Sequence, residues 1–458
     1  MSSITIAALI IFAATYVLML ALPKFRPFVT VGSALVFIAL GAVASFSPNL
    51  FGEGFFALGN GASYSYSFAD ALSNIDWNVI MMIAGTMGTV FLFIESKMPN
   101  LISDVLISKM PNMKWAIVCL SLFAGIVSAF VDNVATVLMI APVALAFCKK
   151  LNVSPVPSII CIAVSSNLQG AATLVGDTTS ILLAKQANLD FSDFFVDEGK
   201  LGMFWVVEAG AIVSALIILF MFRKENEKIS FNNRTVVEDK VPTVLLLGTV
   251  IALIAVSFIP YKDGAAPGQF YKPDITNGII CVTFFAIGII REYFFKHNTK
   301  IVKEAFKEID YFTIVLLAGL FVVIGGIESA GVVDVIGQTI AKLGAGSPFL
   351  IFTIIVWISV LLSAFIDNIP YTATMLSIVP VIAASVGVEP KLLYYGLLCG
   401  ATLGGNLTPI GASANITGIG ILRKEGHEVK SSTFMKYSVP FTLAAVTTGY
   451  LMLWFLWK

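Results

Sequence analysis

Two acidic motifs of nearly the same sequence interrupt apolar stretches of this chain. Ser128-Ala-Phe-Val-Asp-Asn returns as Ser363-Ala-Phe-Ile-Asp-Asn, at a shift of 363 − 128 = 235 residues. A carboxylate inside an apolar segment is costly unless a cation, a proton or hydrogen-bond donors compensate it. We therefore expect ion-binding tips of re-entrant hairpins here, the alternative being that the aspartates only cap broken helices. The residues concerned are Ser128, Asp132, Asn133, Ser363, Asp367 and Asn368.

A second pair of polar stretches follows the acidic motifs. Residues 165–180 and 404–415 combine glycine with amide and hydroxyl side chains, which membrane helices tolerate only where they break beside a protein-lined cavity. Small residues could instead serve close helix packing, but that does not explain the amides and the carboxylate beside them. Freed carbonyls and polar oxygens can coordinate Na⁺, and half-helix N-termini can hold an anion. The expected ligands are Asn167, Thr173, Asp177, Thr179, Ser180, Asn406, Thr408, Ser413 and Asn415, with Na⁺ at Asp132, Asn167, Asp367 and Asn406.

The composition that surrounds these motifs indicates an integral membrane protein. Of 458 residues, 58% are hydrophobic and 12% are charged, which is about half the charged share of a soluble domain. The net charge is zero, so no nucleic-acid partner is expected. The sequence has no phosphate-binding loop, which argues against an ATP-driven pump. Both histidines lie in polar loops, so we expect no cofactor and no enzymatic metal centre.

The repeat divides the chain into two halves. We predict an all-α polytopic membrane protein with an N-terminal repeat (1–222), a cytoplasmic linker (223–240) and a C-terminal repeat (241–458). Each repeat is expected to hold one re-entrant hairpin, at 115–148 and 348–386, and one broken helix, at 154–188 and 391–422. Lysine and arginine collect in alternate loops, which marks the cytoplasmic side. With about ten transmembrane helices, the second repeat is then inverted, as is typical of secondary transporters.

At these motifs the sequence resembles the ion transporter superfamily, and within it the ArsB/NhaD branch. That branch holds arsenite permeases, D-type sodium/proton antiporters and the melanosomal P protein, and it is related to citrate transporters. The resemblance covers nearly the whole chain and implies a homodimer in which a transport domain slides against a scaffold, an elevator-type mechanism. Divalent anion:sodium symporters, a related branch, carry Ser-Asn-Thr where this chain reads Ser166-Asn-Leu and Gly405-Asn-Leu, which departs from a dicarboxylate pattern. In the first half, Gly176-Asp177 and the following threonines look like the sodium/proton antiporters, whereas the second half looks more like the arsenite permeases and the P protein.

Three functions are compatible with the sequence. The first is a secondary active permease for a small inorganic or organic anion, with Na⁺ or H⁺ as the coupling ion. The second is a sodium(lithium)/proton antiporter, favoured by acidic residues without basic partners. A membrane enzyme or a scaffold is the third, and the missing nucleophile and base disfavour it. A prokaryotic inner membrane is the expected location.

Overall fold

The chain folds almost entirely into helices, as a computed structural model shows. It describes residues 1–59, 61–227, 235–261, 270–344 and 346–458, so residues 228–234 of the expected linker lie outside the described residues. Two short strands, β1 (Val196–Asp197) and β2 (Lys200–Leu201), form an antiparallel hairpin.

The first half contains ten α-helices within its described residues. In chain order they are α1 (Ser3–Ala21), α2 (Arg26–Phe46), α3 (Phe68–Asn74), α4 (Trp77–Glu95), α5 (Met98–Ser108), α6 (Met113–Ser128), α7 (Asn133–Lys150), α8 (Val156–Gln169), α9 (Thr178–Gln186) and α10 (Met203–Met221). The expected hairpin 115–148 corresponds to α6 and α7, and the expected broken helix 154–188 to α8 and α9.

The second half repeats this order. Its helices are α11 (Val241–Ser257), α12 (Thr276–Ile290), α13 (Thr299–Lys307), α14 (Tyr311–Ser329), α15 (Val332–Leu343), α16 (Pro348–Ser363), α17 (Asn368–Val386), α18 (Pro390–Gly404), α19 (Ser413–Lys424) and α20 (Ser431–Trp457). The expected hairpin 348–386 corresponds to α16 and α17, and the broken helix 391–422 to α18 and α19. Five residues of π-helix, Arg291–Phe295, extend α12.

The helices have the length and composition of membrane spans. Across the described ranges, nine of them are long and apolar enough to cross a bilayer. Two of these nine, α7 and α17, are the second arms of the hairpins, whereas α8–α9 and α18–α19 are each interrupted. The all-helical polytopic fold with broken helices is therefore confirmed.

Equivalent residues of the two repeats lie on opposite faces of the molecule. Glu95 shares a surface cavity with Lys97, Asp239 and Arg291, on what we call the inner face. Its repeat equivalent is Glu328, because Ile327-Glu328-Ser329 repeats Ile94-Glu95-Ser96 at a shift of 233. Glu328 shares another cavity with Asp76, which lies at the opposite end of α4 from Glu95, so this cavity is on the outer face. The inversion expected from the basic loops is thus present in the structure.

Helices of each repeat pack against helices of the other repeat. Helix α4 packs on α12 of the second half, and its equivalent α14 packs on α2 of the first half. Glycine permits both crossings, because a Cβ atom on Gly85 or Gly319 would lie closer than 3.0 Å to the backbone of Cys281 or Thr30, respectively. Together α1, α2, α4, α11, α12 and α14 form one bundle, called here the scaffold bundle.

The remaining long helices form a second bundle. Helices α6 to α10 and α16 to α20 pack on one another, with α9 against α17 and α19 against α7, and we call them the hairpin bundle. The two bundles meet where α14 packs on α17 and where α4 packs on α7 and α9. This junction positions the residues that the sequence singles out.

Candidate ion-binding site

Both hairpin tips end in an aspartate that caps a helix. Asp132 accepts hydrogen bonds from Val134 N and Ala135 N at 3.0 and 3.1 Å, at the start of α7. Asp367 accepts one from Ile369 N at 3.1 Å, at the start of α17. The capping role is therefore present, and it leaves further carboxylate lone pairs for another partner.

The helix breaks pack backbone to backbone against the hairpin tips. The hydroxyl of Thr173 donates to the carbonyl oxygen of Ala129, and that of Thr408 donates to the carbonyl of Ala364 at 2.5 Å. A Cβ atom on Gly176 would lie 2.7 Å from the carbonyl oxygen of Ser128. One on Gly411 would lie 2.8 Å from that of Ser363. The glycines and threonines of the polar stretches thus build the site.

Buried amides join the two repeats beneath the tips. Asn167 Nδ2 donates to the carbonyl oxygen of Thr402 at 2.8 Å, and Asn406 Nδ2 donates to that of Val164 at the same distance. Asn133 Nδ2 in turn donates to Asn167 Oδ1 at 3.0 Å. These bonds hold the two broken helices together across the middle of the hairpin bundle.

Asp177 is the acidic residue of the first break. It caps α9 by accepting from Thr178 N at 2.9 Å, and its other oxygen accepts from the hydroxyl of Thr179 at 2.7 Å. It lies within electrostatic range of both Asp132 and Asp367. The second repeat has Ala412 at this position, because 412 − 177 = 235.

A cavity of about 310 Å³ lies at the junction of the two bundles, between the hairpin tips and the scaffold. Five carboxylate residues line it: Asp132, Asp177, Glu308, Asp310 and Asp367. Among the described residues that line it, none is a lysine or an arginine. Glu308 is exposed, so the cavity opens toward the inner face.

The structure brings some of the predicted ligands to this cavity and keeps others beneath it. Lining residues from the prediction are Asp132, Asn133, Asp177, Asp367, Asn368 and Ser413. The other predicted residues do not line the cavity and instead make hydrogen bonds within the hairpin bundle: Ser128, Asn167, Thr173, Thr179, Ser363, Asn406, Thr408 and Asn415. Ser180 is also fully buried.

Several buried oxygens near the breaks have no protein partner. Within the described residues, Ser180 Oγ, Asn406 Oδ1 and Asn415 Oδ1 are buried without a hydrogen bond. Burying a polar atom in this way is costly, so such atoms call for an explanation such as a bound ion or water. They are oxygens of the kind that the predicted Na⁺ sites require.

One expectation about charge is wrong. The hairpin carboxylates were expected to lack basic partners, but Arg26 Nη1 lies 2.6 Å from Asp367 Oδ2. In the sequence, Arg26 follows the first apolar segment in a short basic loop, which indicates only the cytoplasmic side. The pairing could not be found from the sequence because the two residues are 341 positions apart.

Sequence reasoning also missed the acidic residues that the scaffold contributes. Asp310 caps α14 by accepting from Thr313 N at 3.0 Å, and it faces the same cavity as Asp132. In the sequence, Asp310-Tyr311 repeats Asp76-Trp77 at a shift of 234, which indicates the duplication and not a role in the site. Its position before an apolar helix signalled a cap, but only the fold shows which cavity it lines.

Comparison with known proteins assigns a family to this architecture. Residues 16–400 match the family model CitMHS, described as a citrate transporter. The chain belongs to this family. It is therefore an integral membrane transporter, and the resemblance seen in its motifs is confirmed.

Curated relatives agree with this assignment, and a solved structure shares the fold. An uncharacterized transporter of Mycobacterium tuberculosis is 29% identical over 387 residues, covering 83% of this chain and 87% of that protein. The P protein of Homo sapiens is 26% identical over 452 residues, covering 82% of this chain and 53% of that protein. In fold, the chain is similar to the YdaH transporter of Alcanivorax borkumensis, with a TM-score of 0.61 and 13% identity over 93% of this chain and 97% of that one.

Proposed function

We propose that this transporter exchanges Na⁺ or Li⁺ for protons. The observation that carries the proposal is the charge of the cavity. Five carboxylate residues line it, none of its described lining residues is basic, and Arg26, which pairs with Asp367 from outside that lining, offsets only one of the five charges. Such a cleft concentrates cations, because low-dielectric walls focus the field of like charges. The same field repels a small anion such as a carboxylate or an oxyanion.

The ligand set suits competition between a metal cation and a proton. Asp132, Asp177 and Asp367 present carboxylate oxygens to the cavity, beside interrupted helices of the kind that form the ion sites of secondary transporters. Clustered carboxylates of like charge bind a proton or a metal cation to relieve their repulsion. One occupant then excludes the other, which is what exchange requires.

A sodium-coupled anion symporter is the second candidate. Helices α7, α9, α17 and α19 all begin at the cavity, and aspartates cap the first three. Within the described part of the chain, α19 has no side-chain cap, because alanine replaces aspartate at position 412. Free N–H groups at a helix start attract anions, and the citrate transporter family model points the same way.

The architecture supports an elevator mechanism. Asp132, Asp177, Asp367 and Ser413 all belong to the hairpin bundle, so they can move as a unit past the scaffold bundle, which supplies Glu308 and Asp310. We place the scaffold at the centre of a homodimer, and the protein in a prokaryotic inner membrane, in keeping with its bacterial relatives.

Proteoliposomes with an internal pH dye test the proposal. The purified protein is given external Na⁺ or Li⁺ without any oxyanion or carboxylate. We expect alkalinisation of the interior as the cation enters and protons leave. If no cation changes the internal pH and the same vesicles take up labelled citrate, antiport is rejected in favour of the second candidate.

Two variants separate ion binding from helix capping. Asparagine caps a helix about as well as aspartate, so Asp132→Asn and Asp177→Asn should retain the fold and lose exchange. Glu95→Gln is the matched control, because Glu95 is an exposed carboxylate of the scaffold that lies outside the cavity. Full exchange in both aspartate variants would leave capping as their role.

A further inference from the structure

The guanidinium of Arg26 forms an ion pair with Asp367, one of the carboxylates that line the cavity. Its Nη1 lies 2.6 Å from Asp367 Oδ2, and its Nε donates to the carbonyl oxygen of Met19 at 3.2 Å. Arg26 begins α2 of the scaffold bundle, whereas Asp367 lies at a hairpin tip. The ion pair therefore joins the two bundles and depends on their relative position.

The other hairpin tip has no such partner. Within the described ranges, Asp132 makes no salt bridge, and its hydrogen bonds come only from the start of α7. The two repeats therefore present chemically different tips, although their sequences are almost the same. The difference arises from the scaffold and not from the hairpins.

Symmetry identifies the residue that stands where Arg26 would be in the other repeat. Gly85 packs on Cys281 and its equivalent Gly319 packs on Thr30, so Thr30 and Cys281 are equivalent at a shift of 281 − 30 = 251. Arg26 then corresponds to residue 26 + 251 = 277, which is Asn277. Asn277 lines a cavity at the outer face and is neutral.

The lysines near that outer cavity have carboxylates of their own. Lys272 Nζ lies 2.6 Å from Asp190, and Lys185 Nζ lies 3.4 Å from Asp76. Neither is paired with a hairpin tip. The scaffold thus offers a cation to a hairpin aspartate at the inner face and a neutral amide at the equivalent outer position.

We propose that Arg26 is a built-in competitor of the transported cation. With the hairpin bundle toward the inner face, the guanidinium takes the place of the cation on Asp367 and promotes its release on that side. With the bundle toward the outer face, Asp367 is separated from Arg26 and is free to bind the cation. This assignment rests on the proposed cation transport, and it makes Arg26 a residue that sets the direction of release.

Na⁺-dependent stabilisation of the purified full-length protein measures the competition, because a ligand of the folded state raises its thermal stability. Arg26→Gln should lower the Na⁺ concentration for half-maximal stabilisation by about tenfold, as expected for loss of one charged hydrogen bond. Lys24→Gln removes a neighbouring exposed charge and should leave the midpoint unchanged. In an Asp367→Asn background, Arg26→Gln should have no further effect.

The outcomes separate this inference from the proposed function. Equal Na⁺ midpoints in wild type and Arg26→Gln would overturn the role of Arg26 while leaving antiport intact. A wild-type protein that neither binds nor exchanges any cation would overturn both.

A measurement on unaltered protein covers the case in which Arg26→Gln does not fold. Displacement from Asp367 should free Arg26, so saturating Na⁺ should speed its modification by phenylglyoxal, as followed by mass spectrometry. The exposed Arg423 is the internal reference. An Arg26 rate that does not change with Na⁺, relative to Arg423, would overturn the proposal.

Discussion

Asn167 donates its side-chain hydrogen bond to the carbonyl oxygen of its own repeat equivalent, Thr402, at 2.8 Å, since 402 − 167 = 235. The hydroxyl of Thr402 also lies 3.0 Å from that of Thr179. The axis that relates the two repeats therefore passes through buried polar contacts. Because these contacts connect α8 and α9 to α18, they hold the two broken helices in register around the cavity.

Removing this amide should destabilise the hairpin bundle. Asn167→Leu leaves the Thr402 carbonyl and the Asn133 amide unpaired, and we expect a loss of about 1–3 kcal/mol in the free energy of unfolding. Denaturant unfolding in detergent measures it. Thr402→Val is the matched control, since it keeps the backbone carbonyl and loses only the hydroxyl. Equal losses in the two variants would contradict a special role for the amide.

The glycines of the breaks should not accept a methyl group. In Gly176→Ala and Gly411→Ala the new Cβ would lie 2.5 Å from the carbonyl oxygens of Gly170 and Gly405. Such overpacking costs about 1–3 kcal/mol and moves the break away from the hairpin tip, so transport should fall as well. Gly420→Ala, in α19 with open space around it, should retain both stability and transport. Wild-type transport in Gly176→Ala would show that the break tolerates movement.

Much of the site architecture is predictable because its signals are local. A polar interruption in an apolar run and a duplicated motif are both visible along the chain, and they locate α6 to α9 and α16 to α19 closely. The first hairpin arm begins at Met113 and not at residue 115, because Asn112 caps it by accepting from Trp115 N. The capping residue decides where a helix begins, and here it moves the predicted boundary by only a few residues.

What the sequence does not reveal depends on contacts between distant segments. The exchange of α2 and α12 between repeats brings Arg26 to Asp367, and the same packing brings Asp310 into the cavity. Neither residue carries a local sign of its partner. The sequence therefore leaves anion and cation transport open, because it does not show that Arg26 and Asp310 contribute to the charge at the cavity.

The carboxylate of Asp239, in the linker, should make the free energy of unfolding depend on pH. Burial opposes ionisation of Asp239, but hydrogen bonds from Arg291 and Lys296 outweigh it and lower the pKa of its carboxyl from 3.8 to about 2. Because the pKa is lower in the folded state, the ionised Asp239 stabilises the fold fully at pH values above 3.8. That stabilisation is lost as the pH falls through about 2. Asp239→Asn should therefore be less stable than wild type by a constant amount from pH 5 to pH 8. Unfolding midpoints across this range measure it, and a difference that varies there would contradict the assignment.

An ion pair at the outer face should couple the two bundles. Lys272 comes from the loop between α11 and α12, and Asp190 from the loop after α9; their exposed side-chain fractions are only 2% and 11%. Lys272 Nζ also donates to the carbonyl oxygen of Val256 at 3.1 Å and lies 4.2 Å from the ring centre of Tyr261. The pair is therefore held in place on several sides.

Breaking one side of this pair should cost more than removing both. Lys272→Met leaves the Asp190 carboxylate buried without its cation, which destabilises a protein by about 3–5 kcal/mol. Adding Asp190→Leu should recover most of that loss, because no unpaired charge remains. The exposed pair of Lys300 and Glu304, 3.8 Å apart, is the control, and Lys300→Gln should change stability by less than about 1 kcal/mol. A double-mutant cycle of unfolding free energies gives the coupling, and a double variant as unstable as Lys272→Met alone would show that the lysine acts through packing and not through its charge.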